Sequence, residues 1–400
     1  MIVINVIGIL VTAWFAFSSL YIFLNSIAAL FYKSIALPVS GEHPKVAVFI
    51  PAYKEDAVIV KVAEEALRQE YEGEFEVIVI SDSLKGLTNS WLQQLPLFFL
   101  RVDFEKSTKA KALNFALKIM GDSFDIAIVL DADNVMEKGA IKKFARQYKM
   151  GKKAVQGHRC AKVTSSSFAI LDAVSEEVNN HIYCKGPAAL NLSSRLVGSG
   201  MSIEYKLFKS LMKKIIAVGG FDKDLELKII AEGIKIEYAE DILIYDEKVD
   251  TAQIFQNQRT RWLSAQYYYL RKNFLNSFSM LFKGNFDYFY KVIQLSLPPR
   301  LLLPGFLVVG SFIFVMVGYH TLFFVWSTMS VLVISAYLIA IPRSFWGGKI
   351  IKIFFSIPKA LYVSLIALLN ISGANEKFIH TPHKGLEISG IKTEDKKNNV

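Results

Sequence analysis

Asp125–Asp133 reads DIAIVLDAD, an unbroken apolar run that ends in two carboxylates. A run of this length, apolar throughout, reads as a strand buried on both faces. Upstream, Lys45–Tyr53 (KVAVFIPAY), Phe75–Ser83 (FEVIVISDS) and Leu97–Phe104 repeat the pattern. Helical periodicity fills the gaps, over Val58–Glu70 and in KAKALNFALKIM from Lys109. Strands alternating with helices predict a doubly wound α/β body, its parallel sheet covered on both faces. In such a sheet, functional groups collect in the crevice at the carboxyl ends of the strands. Three strands end in polar tips there: Tyr53-Lys54-Glu55, Asp82 and Asp131-Ala132-Asp133.

Each tip has a plain reading and a chemical one. Asp131 and Asp133 are spaced by two, so strand alternation turns both to one side, where they can approach one hard cation. The plain reading is an aspartate-capped turn. Asp82 either caps its turn or meets a nucleoside. Lys109 and Lys111 stand in the first turn of a helix, where unpaired N–H groups favour anions, although most such lysines are solvated. Gly198-Ser199-Gly200 permits close backbone approach to a ligand, or is simply a turn. In Phe221–Leu227 (FDKDLEL) Asp222 suits a helix N-cap, leaving Asp224 to project into a cleft. Gln258-Arg259-Thr260-Arg261-Trp262 joins an amide, a phosphate-capable guanidinium and an aromatic plate suited to stacking on sugars. Taken without its neighbours it is an amphipathic helix near a membrane.

The flanks are of another kind. Residues 2–32 carry no charged side chain, against the roughly 20 apolar residues that cross a bilayer, and no basic segment precedes them as in a cleavable signal. Residues 301–342, between Arg300 and Arg343, are likewise uncharged and suit a hairpin turning near residues 318–321. A third stretch, about 353–372, is interrupted by Pro358 and Lys359 and reads as an interfacial helix or a fourth span. Hydrophobic residues make up 52% of the chain and charged ones only 20%, which excludes an intrinsically disordered protein. The net charge of +10 gathers beside apolar runs, which favours a membrane surface over nucleic acid. Cys160 and Cys184 have no metal-ligand spacing and suit a reduced, cytosol-facing body.

In their order, PAYKE, ISDS, KAKALN, LDAD, GSGM, FDKDLEL and QRTRW resemble the membrane-embedded family 2 glycosyltransferases, among them cellulose, chitin, hyaluronan and poly-N-acetylglucosamine synthases. The likeness spans about residues 45–262 and extends to the apolar helices on either side. It implies a GT-A domain, Rossmann-like, that binds a nucleotide sugar, usually a UDP-sugar. Carried onto this chain, Ala52, Tyr53 and Glu55 line the uridine pocket and Asp82 contacts the nucleoside. Lys109 lies near the diphosphate. Asp131 and Asp133 hold the sugar and a Mg²⁺ or Mn²⁺ ion. Asp224 is the general base, with Lys223 where the family usually has glutamate. Gln258 and Arg261 sit beside the diphosphate, and Trp262, with Gly198, Ser199 and Gly200, beside the acceptor. Phe378–Gly385 (FIHTPHKG) resembles the gating loop of cellulose synthases, with Thr381 and Lys384 toward the nucleotide and His380 in place of valine.

The expected layout is an N-terminal span (1–33), a catalytic domain (40–262), interfacial helices (263–299), a hairpin (300–343), an interfacial or fourth membrane helix (344–377), the gating-like segment (378–385) and a tail (386–400). The expected activity is inverting transfer of a hexose or N-acetylhexosamine to a growing polysaccharide at the inner face of the cell membrane. Polymer export through so few helices would call for a homodimer or a secretion partner. One alternative is a single transfer to a lipid: polyprenyl phosphate, ceramide or diacylglycerol. Another is an inactive membrane scaffold, which intact Asp131, Asp133, Asp224 and Arg261 argue against.

Overall fold

A computed structural model describes residues 2–34, 41–162, 166–217 and 219–371. The gating-like segment, with Thr381 and Lys384, lies outside them. Eight strands form one sheet: β1 (Val46–Tyr53), β2 (Phe75–Asp82), β3 (Phe98–Val102), β4 (Ile126–Val129), β5 (Val135–Met136), β6 (Ala154–Ala161), β7 (Met201–Glu204) and β8 (Ile236–Asp246). Their spatial order is β3-β2-β1-β4-β7-β6-β8-β5. Period-two alternation divides the core. Val46, Val48, Ile50 and Ala52 of β1 face one buried cluster, which contains Ile59, Val62, Ala63 and Ala66 of the helix Ile59–Leu67. Ala47 and Phe49 face the other, with Leu113, Ala116 and Leu117 of the helix Lys109–Ile119 and Leu225 of the helix Phe221–Ala231.

The expectation of a parallel sheet holds for β3, β2, β1 and β4 and for the pair β6 and β8, and the sheet as a whole is mixed. β7 runs antiparallel to β4 and to β6, and β5 runs antiparallel to β8. The cause is the turn before β7. Gly198 and Gly200 have φ of +82° and +62°, a conformation that glycine adopts without the Cβ penalty. Within this turn the chain starts back along β4 from the end that carries Asp131. The acid turn and the glycine turn are therefore neighbours, although about 65 residues apart in the chain.

Four apolar helices stand beside this body: Ile2–Ala29, Leu302–Met316, His320–Ala340 and Gly348–Leu369. Two are long and apolar enough to cross a membrane, at Asn5–Ala29 and His320–Ala340. They pack through Phe15, Ile22, Leu303, Leu307, Met329 and Val333, while Ile9, Leu10, Phe312, Phe324 and Val331 remain exposed. An exposed apolar belt of this kind is the arrangement expected of helices bathed in lipid. The first helix is also fastened to the α/β body and to the helix His320–Ala340. Tyr290 donates to Asn25 Oδ1, Ser26 Oγ donates to Ala336 O at 2.9 Å, and His181 Nε2 lies 2.9 Å from Ser26 O. At Gly186 a Cβ would fall 2.5 Å from the carbonyl oxygen of Asn25, so only glycine allows that approach.

Candidate active site

A cleft of 270 Å³ opens at the carboxyl ends of β1, β2 and β4. It gathers Ala52, Tyr53, Glu55, Asp82, Lys109, Asp131, Asp133, Gly198, Gln258, Arg261 and Trp262, all singled out from the sequence. Its rim carries backbone strain: Lys54 and Ser83, just past β1 and β2, have φ of +56° and +58°. Lys54 N donates to Asp82 O at 3.1 Å, tying the two strand ends together. The Asp82 carboxylate is buried and accepts from Ser83 and Ser107 hydroxyls, each at 3.1 Å. Burial nonetheless raises its pKa above the ordinary aspartate value.

The two aspartates reach the cleft by a different route from strand alternation. β4 ends at Val129, and Asp131–Asn134 forms a turn, with Asn134 N donating to Asp131 O at 3.1 Å. Ser199 ends the ladder there. Its Oγ accepts from Asp131 N at 2.8 Å and donates to Asn134 Oδ1. Ser199 is fully buried and supports the acid turn, away from the cleft surface where the acceptor was expected. Gly200 packs against β8: a Cβ there would fall 2.6 Å from Ile244 Cγ1. Of the three, Gly198 lines the cleft. Lys109, the first residue of a helix capped by Thr108, ion-pairs with Asp131 and donates to Gly198 O at 2.8 Å. Lys111 points away, to Lys106 O.

Helix phase bears on the general base expected at Asp224. Gly220, at φ +65°, is the N-cap of the helix Phe221–Ala231, so Asp222 is inside the first turn and is not the cap. That phase turns Asp222 and Lys223 into the cleft. Asp224, about 100° further round each residue, lies outside it, buried, 3.7 Å from Lys228 and 3.8 Å from Lys272. Asp222 also packs beneath the glycine turn, where a Cβ on Gly198 would meet it at 3.4 Å.

One helix, Ala252–Phe282, capped by Thr251, supplies the opposite wall and runs unbroken through the boundary expected at 262/263. Gln258, Arg261 and Trp262 are spaced i, i+3, i+4 and so share a face. Gln258 Oε1 is buried without a hydrogen-bond partner. Burial lowers the pKa of Arg261, against the pull of Asp131 and Asp222, without taking away its charge. Arg259 faces elsewhere, held by Asp172 at 2.7 Å with its guanidinium 4.6 Å from the Trp262 ring centre.

Sequence reasoning missed further wall residues. Arg159, paired with Asp246, and Glu247 line the cleft with Arg195. Asp246-Glu247-Lys248 is a polar strand tip after β8, the same signal that marked β1, β2 and β4. Among the described residues no group of three or more His, Cys, Asp or Glu could hold a metal alone. Two carboxylates that complete their shell with substrate phosphates are the usual donor set of Mg²⁺ or Mn²⁺, so Asp131 and Asp133 fit such an ion.

A family model described as "Glycosyltransferase like family 2" matches residues 43–265. A "Probable glycosyltransferase YdaM" from Bacillus subtilis (strain 168) is 24% identical over 279 residues, 62% of either chain. The chain thus spans about 62% of that relative's length. Among solved structures, a mannosyltransferase from Pyrobaculum calidifontis, in complex with GDP-Man and Mn²⁺, is 20% identical with a TM-score of 0.48, over 85% of this chain and 98% of its own. Glucosyl-3-phosphoglycerate synthase from Mycobacterium tuberculosis, with Mn²⁺, UDP and its product, is 16% identical with a TM-score of 0.37, over 52% and 73%.

Proposed function

The chain belongs to the glycosyltransferase like family 2, and on that premise we propose that it moves a hexose or N-acetylhexosamine from a UDP-sugar to an acceptor hydroxyl at the cytoplasmic face of a membrane, with inversion. One observation carries the reading: Asp82, the Asp131–Asp133 turn, Asp222 and the Arg261–Trp262 face meet in a single cleft. Ala52, Tyr53, Glu55 and Asp82 would take the nucleoside. Asp131 and Asp133 would hold a Mg²⁺ or Mn²⁺ ion, which supplies positive charge to the departing diphosphate. Arg261 and Lys109 add charge of the same sign, and Gln258 an amide. Trp262 offers a stacking plate to the acceptor. Asp222 takes the hydroxyl proton as the acceptor oxygen bonds to the anomeric carbon, and the bond from that carbon to the diphosphate oxygen breaks, releasing UDP. The basic residues Lys33, Arg300 and Arg343 at the ends of the apolar runs support a cytoplasmic cleft.

A growing polysaccharide is the acceptor of the first reading, exported with a second copy or a secretion partner. Transfer to a lipid is the second, and a cavity at the membrane end of the cleft favours it. The test uses full-length protein in detergent with a panel of UDP- and GDP-sugars and Mn²⁺, following diphosphate release and sizing the product. Release from UDP-sugars that stops in EDTA supports the reading. A protein that binds no nucleotide sugar overturns it.

A further inference from the structure

Behind Trp262 lies a second cavity, of 90 Å³, that the reaction above does not use. Arg195, Lys223 and Trp262 form a wall common to it and the cleft. Its far side is closed by Leu297, Arg300 and Ser364, where the chain enters the apolar helix Leu302–Met316. Five cationic side chains line it (Arg195, Lys223, Arg259, Lys291 and Arg300) against one carboxylate, Glu226. Three have carboxylate partners: Lys291 has Glu226 at 3.3 Å, Arg259 has Asp172 at 2.7 Å and Lys223 has Asp222 at 3.7 Å. Arg195 and Arg300 have no salt bridge among the described residues.

The donors are also unsatisfied. Arg300 Nη1, Arg259 Nε and Ser364 Oγ are buried without hydrogen-bond partners, and Arg259 and Ser364 are 8% and 3% exposed. Leaving such a group unpaired in the interior is costly, and more so when it is charged. Burial, with Arg195 beside it, lowers the Arg300 pKa to about 10, so the guanidinium stays charged at neutral pH. Three buried donors and two guanidinium groups without a salt bridge, in the field of a Glu176 carboxylate that already pairs with Lys248, call for an anionic ligand rich in acceptors. One orphaned acceptor, Gln294 Oε1, lines the same cavity and suits a hydroxyl beside that anion.

We propose that this cavity anchors the phosphate of a membrane lipid acceptor between Arg195 and Arg300, so that the acceptor reaches the cleft past Trp262. The proposal deepens the transferase reading and rests on it. A phosphomonoester supplies two negative charges and three acceptor oxygens, and guanidinium forks match phosphate in geometry. A lipid source follows from position. The cavity is bounded by Leu295, Leu297 and Leu301 at the foot of the apolar helices, where a headgroup arrives with its tail in the bilayer.

Binding to the detergent-solubilised full chain tests this, with octanoyl lysophosphatidic acid as probe, below its micelle concentration. The expected result is that it binds at least tenfold tighter than octanoyl lysophosphatidylcholine or inorganic phosphate. Arg300→Gln should lose at least tenfold, Arg300→Lys less than threefold, and UDP–Mn²⁺ affinity should change less than twofold in either. If Arg300→Gln fails to fold, the probe series on the unaltered protein decides alone. Equal binding of the two lipids overturns the phosphate. Inorganic phosphate as tight as the lipid overturns the lipid source, and tighter binding of an oligouronate makes the ligand an acidic polymer. Lipid binding without any nucleotide-sugar binding would leave the anion site standing and overturn the transferase reading, so the two failures are distinct.

Discussion

Exchanging Asp222 and Asp224 one at a time for asparagine separates the base that faces the cleft from the one expected of the motif. Asp222→Asn keeps the side-chain shape and removes a proton acceptor, a loss of about 10²–10⁴-fold in transfer. Asp224→Asn removes two longer ion pairs, with Lys228 at 3.7 Å and Lys272 at 3.8 Å, whose lysine side chains are 29% and 48% exposed. The lysine ends are solvated while Asp224 itself is buried, which places each pair above the roughly 0–1 kcal/mol of a surface pair, so the second variant should lose up to about 3 kcal/mol of stability and less than threefold in turnover. The assay follows acceptor glycosylation under saturating donor, alongside UDP affinity and thermal midpoint for each variant. Asp222→Asn should keep donor affinity within about threefold while turnover collapses. An inactive, folded Asp224→Asn beside an active Asp222→Asn would refute the assignment, and with it the argument from helix phase.

Asp82→Asn should stabilise the ligand-free protein at neutral pH while weakening UDP binding. The native carboxyl has a raised pKa, so ionising it costs folding free energy, and that cost disappears as pH falls through the raised value toward 3.8. Thermal midpoints that gain nothing at pH 7 would contradict it. Asp133→Asn should lower transfer by at least about tenfold, with more Mn²⁺ needed to restore it, because a hard cation loses a charged oxygen; unchanged activity in excess EDTA would count against a metal. Gly200→Ala should destabilise by about 1–3 kcal/mol, since the Cβ falls 2.6 Å from Ile244 at a φ of +62°, and thermal or denaturant unfolding measures it.

The strand tips were legible because burial on both faces leaves an apolar run with an abrupt polar end, as in IAIVL before Asp131. β7 was not: four residues (MSIE) carry too little pattern to set a direction, and only the glycine turn reverses it. The acid that faces the cleft was illegible for a related reason. Which acid of FDKDLEL enters the cleft depends on helix phase, and phase depends on Gly220 being the cap, a fact of backbone conformation that spacing does not encode. Ser199 looked like a ligand-facing residue because a hydroxyl between glycines reads alike whether it meets a substrate or props a turn. The anion cavity was invisible, since Arg195, Arg300 and Ser364 are far apart in the chain and none sits in a motif.

The fastening of the helix Ile2–Ala29 bears on how the protein is made. Its partners are distant in the chain: His181 lies 155 residues from Ser26, Tyr290 lies 265 from Asn25, and Ala336 lies 310 from Ser26. At about 5–20 residues per second, the ribosome leaves that helix without its last partner for roughly 15–60 s. During that interval the polar side chains of Asn25 and Ser26, both buried in the finished protein, have yet to meet these partners. The α/β body can close its own sheet by β8, well before the hairpin exists, so biogenesis has two stages: a folded α/β lobe first, then docking of early and late helices around it. Truncation before Ala336 would arrest the chain between them, with its first helix unclamped.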